Sequence, residues 1–432
     1  MDKTLGIYIH IPFCASKCGY CDFYSLAGQE SLMPAYRDAL CQHIRESQRA
    51  ISGYYVDTVY FGGGTPSYFG AKRLAEVFAE LKNTGRILKS SEVTLEVNPD
   101  SARTEELKLL RREGFNRLSM GIQSANNDIL KLIGRRHNWR QAEQAMKSAR
   151  DAGFDNVSID LMYGLPSQTK SDWADTLTRA LELRPEHISC YGLKLEEGTP
   201  MYRYKDSPFL PSDDEQADMY LYAVEKLEHY GYPQYEISNF ALRGYESKHN
   251  LRYWRLGEYM GFGPGAASCV GNARYSYVKD VNAYISGVSG QKEIVDEYEQ
   301  IGALERASEY IMLGMRTVKG ISSAEYHRLY RSDFAPIEKL LREFTDRGWA
   351  VSEGGAWHFT PSGFLLSNVL IGALLEAQTG ERVELNPWMR DAFDAEEKTD
   401  LPPGEDEVFR ASMEEKKKIA DERSFLDEWK EK

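Results

Sequence analysis

The stretch that decides the fold is residues 4–21, TLGIYIHIPFCASKCGYC. Its first half contains Gly6–Ile11, in which isoleucines alternate with other residues, and this pattern predicts a strand. Its second half places Cys14, Cys18 and Cys21 in a C-x3-C-x2-C pattern directly after that strand. The whole chain has only six cysteines, so chance does not explain three of them within one short loop. Clustered cysteines in a long intracellular chain are typical of metal ligands rather than disulfides.

The cysteine loop fits two kinds of metal site. Zinc usually takes four ligands, and His10, four residues before Cys14, could complete such a set. An iron–sulfur cluster is the second kind, because cysteine thiolates are its usual ligands. Three thiolates on a four-iron cluster leave one iron open to a small molecule, such as a sulfonium that the cluster cleaves reductively. The residues alone leave both kinds of site open.

Outward from this loop, strand-like and helix-like segments alternate. The predicted strands are Gly6–Ile11, Thr58–Phe61, Val93–Val97, Arg117–Gly121, Asn156–Met162 and His187–Leu193. The predicted helices are Pro34–Ser47, Ala71–Lys82, Thr104–Glu113, Trp139–Ala152 and Ser171–Leu183, with Thr104 as an N-cap and Gly114 as a C-terminal stop. The alternation predicts an α/β fold with a parallel sheet. Six units fall short of the eight of a closed barrel, so we expect an open sheet or a partial (β/α)6 barrel.

The rest of the chain divides into regions of different composition. The predicted parts are a core over 1–200, an aromatic, Gly-rich extension of the core over 201–300, a helix-rich, winged-helix-like domain over 301–378, and a charged C-terminal extension over 379–432. The helices predicted in the third part are Glu305–Met315, Ser322–Tyr330, Ile337–Arg347 and Pro361–Glu376. No basic face accompanies them, so we expect a structural or protein-contact role rather than DNA binding. In the extension, Glu405–Trp429 predicts a peripheral helix.

The overall composition excludes several classes of protein. The 432 residues carry 53 Lys and Arg against 66 Asp and Glu, a net charge of −13, which argues against nucleic acid as a partner. The mean hydropathy is −0.52 and no apolar run is long enough for a transmembrane segment. The opening residues lack the pattern of a signal peptide, so we expect a cytoplasmic protein.

Polar or glycine residues occur where the predicted strands end. The segment Gly62-Gly63-Gly64-Thr65-Pro66 follows the second strand, Glu96 ends the third, Gln123 follows the fourth and Asp160 lies in the fifth. Because the carboxyl ends of parallel strands meet at one edge, we expect these residues to share a site with the cysteine loop. The glycines would let a ligand approach the backbone and leave N–H and C=O groups free to bind it. The two carboxylates need hydrogen-bond partners if they point inward.

A second candidate lies in residues 249–254, HNLRYW. A histidine between aromatic residues is most often a packed, hydrogen-bonded side chain. Alternatively, His249 is an axial ligand of a haem iron, with flat aromatic neighbours for the macrocycle. The residues alone do not decide between these two roles.

The cysteine loop and the Gly-Gly-Gly-Thr-Pro segment together resemble the radical S-adenosylmethionine superfamily. Within it, the chain is similar to the branch that contains the oxygen-independent coproporphyrinogen III oxidases and the HemW-like haem chaperones. The resemblance runs from about Thr4 to about Leu375. It implies a 4Fe-4S cluster on Cys14, Cys18 and Cys21, with S-adenosylmethionine beside it.

The resemblance also implies which other residues contact the cofactor. Tyr8 and Tyr20 match aromatic residues near it, and Gly63, Gly64 and Thr65 match the segment that receives its methionyl group. The remaining cofactor contacts implied by the resemblance are Glu96, Gln123, Arg135 and Asp160. The spacings from Gln123 to Arg135 and to Asp160 agree with the family without gaps.

Three features favour the haem chaperone branch over the oxidases. The oxidases carry a further cysteine two residues after the third one, where this chain has Phe23. They also have a longer segment before the first strand. Finally, residues 249–254 fit the H-N-x-x-Y-W signature of the chaperones, in which His249 would be the haem contact.

The branch implies a protein that binds haem and delivers it to respiratory haem proteins, some of them at the membrane surface. The alternative is an oxygen-independent coproporphyrinogen III oxidase of porphyrin biosynthesis, an activity that we expect this chain to lack. A zinc-structured binding protein is a third, weaker alternative.

Overall fold

The computed structural model describes residues 3–380, and its strands and helices are numbered here in chain order. The strands are β1 (Thr4–Ile11), β2 (Phe13–Cys14), β3 (Leu26–Ala27), β4 (Tyr55–Gly63), β5 (Arg86–Val97), β6 (Arg117–Gln123), β7 (Val157–Tyr163), β8 (His187–Gly192), β9 (Gln234–Glu236), β10 (Asn239–Ala241), β11 (Tyr259–Phe262), β12 (Ala267–Val270), β13 (Ala273–Tyr277), β14 (Val295–Gln300), β15 (Ile321–Ser322), β16 (Ala350–Glu353) and β17 (Ala356–Phe359). The α-helices are α1 (Met33–Glu46), α2 (Gln48–Ile51), α3 (Pro66–Phe69), α4 (Ala71–Thr84), α5 (Thr104–Glu113), α6 (Asn127–Leu132), α7 (Trp139–Asp151), α8 (Lys170–Glu182), α9 (Asp213–His229), α10 (Lys248–Trp254), α11 (Val281–Ser289), α12 (Ala303–Gly314), α13 (Ser323–Tyr330), α14 (Ala335–Asp346), α15 (Pro361–Leu365) and α16 (Ser367–Thr379).

Twelve strands form one sheet in the order β14-β13-β12-β11-β1-β4-β5-β6-β7-β8-β10-β9. Its middle consists of β1, β4, β5, β6, β7 and β8, each parallel to its neighbours within this group. These are the six strands predicted from the sequence, and the α/β class with a partial barrel is confirmed. The order ends at β14 on one side and β9 on the other, so the sheet is partly open.

The first strand shows how the sheet divides its residues between two faces. The side chains fully buried in the core that also holds α1 are Leu5, Ile7, Ile9 and Ile11. Tyr8 projects from the opposite face, because successive side chains of a strand alternate. The register of β1 and β4 places Tyr8 beside Tyr60, on the same face. That face is the polar interior of the partial barrel.

The outer helices begin and end at recognisable residues. Asn138 and Thr169 form capping boxes at the starts of α7 and α8. The prediction that Thr104 caps α5 is wrong by one position, since the cap is Arg103 and no side chain accepts a hydrogen bond there. Gly114 ends α5 as predicted, with the left-handed φ of 111° that suits glycine.

Residues 201–300 extend the sheet at both edges, which the sequence analysis did not predict. β10 pairs antiparallel with β8, while β11 pairs parallel with β1 and leads into the antiparallel strands β12, β13 and β14. These strands have three to six residues, too short for a clear alternating pattern.

The C-terminal part of the described chain is mostly helical, as predicted, with a small sheet in the order β15-β17-β16. The single helix predicted over Pro361–Glu376 is in fact two helices, because Leu366 leaves the helical conformation between α15 and α16. The predicted helix Glu405–Trp429 lies outside the described residues. Within residues 3–380, no helix has the length and apolar character needed to cross a membrane.

Candidate functional site

The cysteine loop follows β1 at the carboxyl edge of the sheet. Cys14, Cys18 and Cys21 are all free thiols, and Cys14 is buried. Burial raises the pKa of Cys14 and of Cys21 above the ordinary thiol value. The Thr65 hydroxyl donates a hydrogen bond to the Cys14 Sγ over 3.4 Å. The loop is therefore fixed to the segment that follows β4.

A cavity of about 430 Å³, which we name the barrel cavity, opens beside this loop. The predicted site residues that line it are Cys14, Cys18, Tyr20, Cys21, Gly63, Gly64, Thr65, Glu96, Gln123, Arg135 and Asp160. Of the thirteen predicted residues, only Tyr8 and His249 do not line it. Strand ends far apart in sequence thus meet at one place, as the topology of a parallel sheet requires.

Arg135 connects the cysteine loop to the strand ends. Its guanidinium lies 3.6 Å from the Cys18 Sγ and donates a 2.9 Å hydrogen bond to the Asn98 Oδ1. It also donates to the carbonyl oxygen of Gly121. Its Nε is buried and has no hydrogen-bond partner in the described chain. Arg135 therefore links the Cys18 side of the loop to β6 and to Asn98.

The two predicted carboxylates point into the cavity and are hydrogen-bonded, as their position demands. Glu96 accepts from the Tyr60 hydroxyl at 2.9 Å and from the Gly63 N–H at 3.1 Å. Burial, together with a smaller effect of the nearby Asp160, raises the pKa of Glu96 to about 7. Asp160 accepts from Ser119 at 3.1 Å and Ser189 at 2.8 Å, and burial also raises its pKa.

The triple glycine works differently from the prediction. The N–H of Gly63 donates to Glu96, and those of Gly64 and Thr65 donate at 2.8 Å to the carbonyls of Ile11 and Phe13. The expectation that these N–H groups are free for a ligand is therefore wrong. Gly63 has φ of 113°, and a Cβ there would lie 2.4 Å from the His10 ring. The glycine lets β4 pass close to β1.

His10 does not have a nitrogen available for zinc. Its Nδ1 is 3.1 Å from the Tyr8 hydroxyl, and its Nε2 is 2.9 Å from the carbonyl oxygen of Tyr24. Burial lowers the pKa of His10 to about 4. Across residues 3–380, no three His, Cys, Asp or Glu side chains converge closely enough to hold a single metal ion. This geometry disfavours the zinc alternative.

His249 does not line the barrel cavity but packs behind Tyr60, which does. It is 1% exposed, and its Nδ1 and Nε2 are 2.9 Å from the Thr58 hydroxyl and 2.8 Å from the Tyr253 hydroxyl. Its ring stacks on Tyr60 with 5.2 Å between centroids. Burial lowers the pKa of His249 to about 3, so the imidazole is neutral. His249 therefore has the packed, hydrogen-bonded environment that the sequence analysis gave as one of two alternatives.

Helix α10, which carries His249, contributes to two cavities. Its Asn250 lines the barrel cavity, while its Tyr253 lines a second cavity of about 510 Å³. The second cavity is mostly apolar and also contains Tyr8, the other predicted residue outside the barrel cavity. Helix α12 forms part of its wall through Met312 and Leu313.

Known proteins share both the sequence and this architecture. Residues 8–180 match the radical SAM superfamily, and residues 302–366 match the HemN C-terminal domain. Heme chaperone HemW of Bacillus subtilis (strain 168) is 36% identical over 375 residues, covering 85% of this chain and 98% of that protein. Heme chaperone HemW of Haemophilus influenzae is 35% identical over 382 residues, covering 86% and 98%. The chain belongs to the HemW family.

A solved structure gives the same fold for the HemW-like chain. Coproporphyrinogen III oxidase (HemN) from Escherichia coli, a radical SAM enzyme, aligns with a TM-score of 0.76 and 25% identity. The alignment covers 87% of this chain and 90% of that one. These matches confirm the resemblance to the radical SAM superfamily and to its branch that contains the oxidases and the HemW-like haem chaperones.

The residues of the barrel cavity fit the cofactors that the HemW family implies. Three free thiols on one loop match a cluster with one open iron. The buried Arg135 Nε without a partner fits an anionic ligand next to the Cys18 thiol. Thiolates on separate irons lie farther apart than ligands of one ion, which agrees with the absence of a single-ion site among residues 3–380.

Sequence reasoning missed several residues that line the barrel cavity. They are Tyr60, Arg117, Ser119, His187, Ser189 and Tyr191. All lie within strands, at positions that face the barrel interior, whereas the predicted residues were found mainly at strand ends. A usable signal existed, since polar residues at alternate positions of an otherwise apolar buried strand indicate an interior polar face.

Proposed function

We propose that this protein is a haem chaperone that binds a 4Fe-4S cluster, S-adenosylmethionine and haem, and delivers haem to respiratory haem proteins. The observation that carries the proposal is the similarity to heme chaperones HemW along nearly their whole length, at up to 36% identity. The geometry supports it, because the residues that the family uses for cofactors surround one cavity. The acidic chain, of net charge −13, fits transfer between proteins better than nucleic-acid binding.

In this proposal, Cys14, Cys18 and Cys21 hold the cluster. The residues that surround S-adenosylmethionine are Tyr20, Gly63, Gly64, Thr65, Glu96, Gln123, Arg135 and Asp160, with Tyr8 behind them. Bound there, the cluster supplies an open iron and an electron. The chain's own part is to orient the polar groups of the site: Thr65 and Arg135 contact the thiols of Cys14 and Cys18, and Tyr60 orients Glu96.

His249 is the proposed haem contact. The neutral imidazole that burial enforces is the form that ligates a metal. Its Nε2 is 2.8 Å from the Tyr253 hydroxyl, and Tyr253 is one of the residues that line the second cavity. Ligation by His249 therefore requires Tyr253 to give up this hydrogen bond. Delivery in the cytoplasm to respiratory proteins at the membrane surface belongs to the same proposal.

A second candidate function is oxygen-independent coproporphyrinogen III oxidation. The similarity in fold to HemN of Escherichia coli, with a TM-score of 0.76, favours it. Against it stands Phe23, 65% exposed, at the position where the oxidases carry a further cysteine. We therefore expect no oxidase activity.

The experiment that tests the proposal uses the full chain, purified and reconstituted with iron and sulfide under anaerobic conditions. The protein is titrated with haem and then mixed with membranes that contain a haem-depleted respiratory enzyme. We expect a stoichiometric Soret band and restoration of the enzyme. His249→Ala should shift the band and weaken binding, whereas His229→Ala, at the C-terminal end of α9, should behave as wild type.

Three outcomes would contradict this proposal. Formation of protoporphyrinogen from coproporphyrinogen, with S-adenosylmethionine and a reductant, would favour the oxidase. Zinc without iron or sulfide in anaerobically purified protein would favour the zinc alternative. An unchanged Soret band and affinity in His249→Ala would remove His249 as the haem contact.

A further inference from the structure

Arg117 is a buried cation without a partner. It is the first residue of β6, is 1% exposed and lines the barrel cavity. Its Nε and one of its terminal nitrogens are buried and unbonded. Within residues 3–380, no hydrogen bond or ion pair joins this guanidinium to a protein group. A buried charge in this state is costly, and proteins rarely leave a guanidinium uncompensated.

The groups around Arg117 leave its guanidinium without a hydrogen bond. His187 is neutral, because burial lowers its pKa well below the ordinary value, and its two nitrogens bond to Ser158 and Tyr235, both at 2.7 Å. The Asp160 carboxylate attracts the Arg117 charge without bonding to it, and its oxygens already accept from Ser119 and Ser189. Two buried donor nitrogens of Arg117 therefore have no acceptor in the described chain.

Arg117 lies at the end of the barrel cavity farther from the cysteines. It and His187 open their strands, while the cysteine loop, Thr65 and Arg135 follow the carboxyl ends. We name this region the inner end, defined by Arg117, His187, Ser189 and Asn250, all of which line the cavity. Arg117 is its one charged side chain, and the adjacent Asp160 carboxylate already accepts hydrogen bonds from Ser119 and Ser189.

We propose that Arg117 binds a carboxylate of a ligand in the barrel cavity. Guanidinium groups recognise carboxylates through paired hydrogen bonds, and two unbonded nitrogens are the donors such a pair needs. On the proposed function, this carboxylate is a propionate of the tetrapyrrole, because the methionyl group of S-adenosylmethionine goes to Gly63, Gly64 and Thr65 at the other end of the cavity. The inference assigns to Arg117 a role that the sequence motifs do not carry.

The test compares Arg117→Met with wild type, because methionine fills similar space without charge. Affinities for S-adenosylmethionine, haem and haem dimethyl ester are measured on reconstituted full-length protein, and thermal stability is measured without ligand. We expect Arg117→Met to weaken haem binding about tenfold or more, to leave the affinity for S-adenosylmethionine unchanged, and to be at least as stable as wild type. The matched control is Arg150→Met, which breaks the 2.9 Å pair with Glu186 and should lose stability but not affinity.

The ligand arms identify the source of the carboxylate. A loss confined to S-adenosylmethionine overturns the assignment of a propionate to Arg117. If the variant loses affinity only for haem, and if wild type already binds haem dimethyl ester more weakly than haem, the carboxylate is a propionate. Wild-type affinity of Arg117→Met for both ligands overturns the inference, and reduced stability in that variant would then show a structural role instead.

A folding failure of Arg117→Met would not end the test, because Arg117→Lys keeps the charge but loses the planar fork. It should also bind the same ligand more weakly, and wild-type affinity would overturn the inference. Wild-type protein that binds neither ligand contradicts the proposed function itself, which is a different result from equal binding by wild type and variant.

Discussion

The rim and the inner end of the barrel cavity differ in how their charges are matched. The rim consists of the residues past the carboxyl ends of the strands: the three cysteines, Thr65, Asn98 and Arg135. There Arg135 bonds to Asn98 and Gly121 and approaches Cys18. At the inner end, Arg117 has no such contact among the described residues. At the rim, the described chain thus leaves only the Arg135 Nε of that guanidinium without a partner, whereas at the inner end two buried nitrogens of Arg117 have none.

The largest expected effect concerns the rim. Replacing Cys18 with alanine removes one of three thiolates, and we expect the reconstituted protein to lose essentially all of its cluster absorbance. Cys41→Ala is the matched control, because Cys41 lies in α1 and outside the cavity. Iron and sulfide analysis with visible spectroscopy measures the effect. A full cluster in Cys18→Ala would break the description of the rim as a cluster site.

A second prediction tests how tightly the rim is built. Gly63→Ala places a Cβ 2.4 Å from the His10 ring at a φ of 113°. Strain and overpacking together should lower the free energy of unfolding by about 4 kcal/mol. Gly53→Ala, which meets nothing within 4 Å, should change it by less than about 0.5 kcal/mol. Urea unfolding measures both free energies. Equal stabilities would mean that the backbone around Gly63 accommodates the added Cβ at little cost.

Glu96, between the rim and the inner end, should make stability depend on pH. Its pKa is raised from 4.5 to about 7, so the folded protein holds a proton that the unfolded chain has lost across this interval. The unfolding free energy should therefore fall as pH rises from about 4.5 to 7, by up to about 3 kcal/mol. Glu96→Gln should flatten this slope in urea unfolding at pH 5 and pH 8. An identical slope in the variant would show that Glu96 is ionised throughout.

The smallest expected effect comes from the Thr65 hydroxyl, which donates to Cys14 and accepts from Asn98 at 3.1 Å. Thr65→Val keeps the shape and should lower the free energy of unfolding by about 1–2 kcal/mol. Thr84→Val is the control, because Thr84 bonds only to a carbonyl of its own helix. A smaller loss for Thr65→Val than for the control would show that these rim contacts contribute nothing to stability.

Much of the fold could be predicted because its signals are local. The six parallel strands are rich in β-branched residues and are separated by helices with clear ends, such as Gly114. The added strands β9–β14 could not be predicted, since they are short and gain their partners only from distant segments. The sequence also misplaced the α5 cap by one residue, at Thr104 instead of Arg103, and predicted one helix over Pro361–Glu376 where the structure has two.

Site residues with local sequence signals could be predicted too, and those without such signals could not. Rim residues follow strands and belong to motifs, so the sequence pointed to the cysteines, Glu96, Gln123 and Arg135. Arg117 and His187 begin strands and belong to no motif, so only the alternation of polar and apolar residues along β6 and β8 could have indicated their inward direction. The state of His249 depended on Thr58 and Tyr253, of which Thr58 is 191 positions away in the chain.

Helix α10 is only seven residues long, yet it touches both cavities through Asn250 and Tyr253. A molecule that displaces this helix from one side alters the free energy of occupancy on the other. Thermodynamic linkage requires the two ligands to alter each other's affinity by the same factor. A cofactor in the barrel cavity would then change the affinity of a ligand in the neighbouring cavity by the same factor by which that ligand changes the affinity of the cofactor.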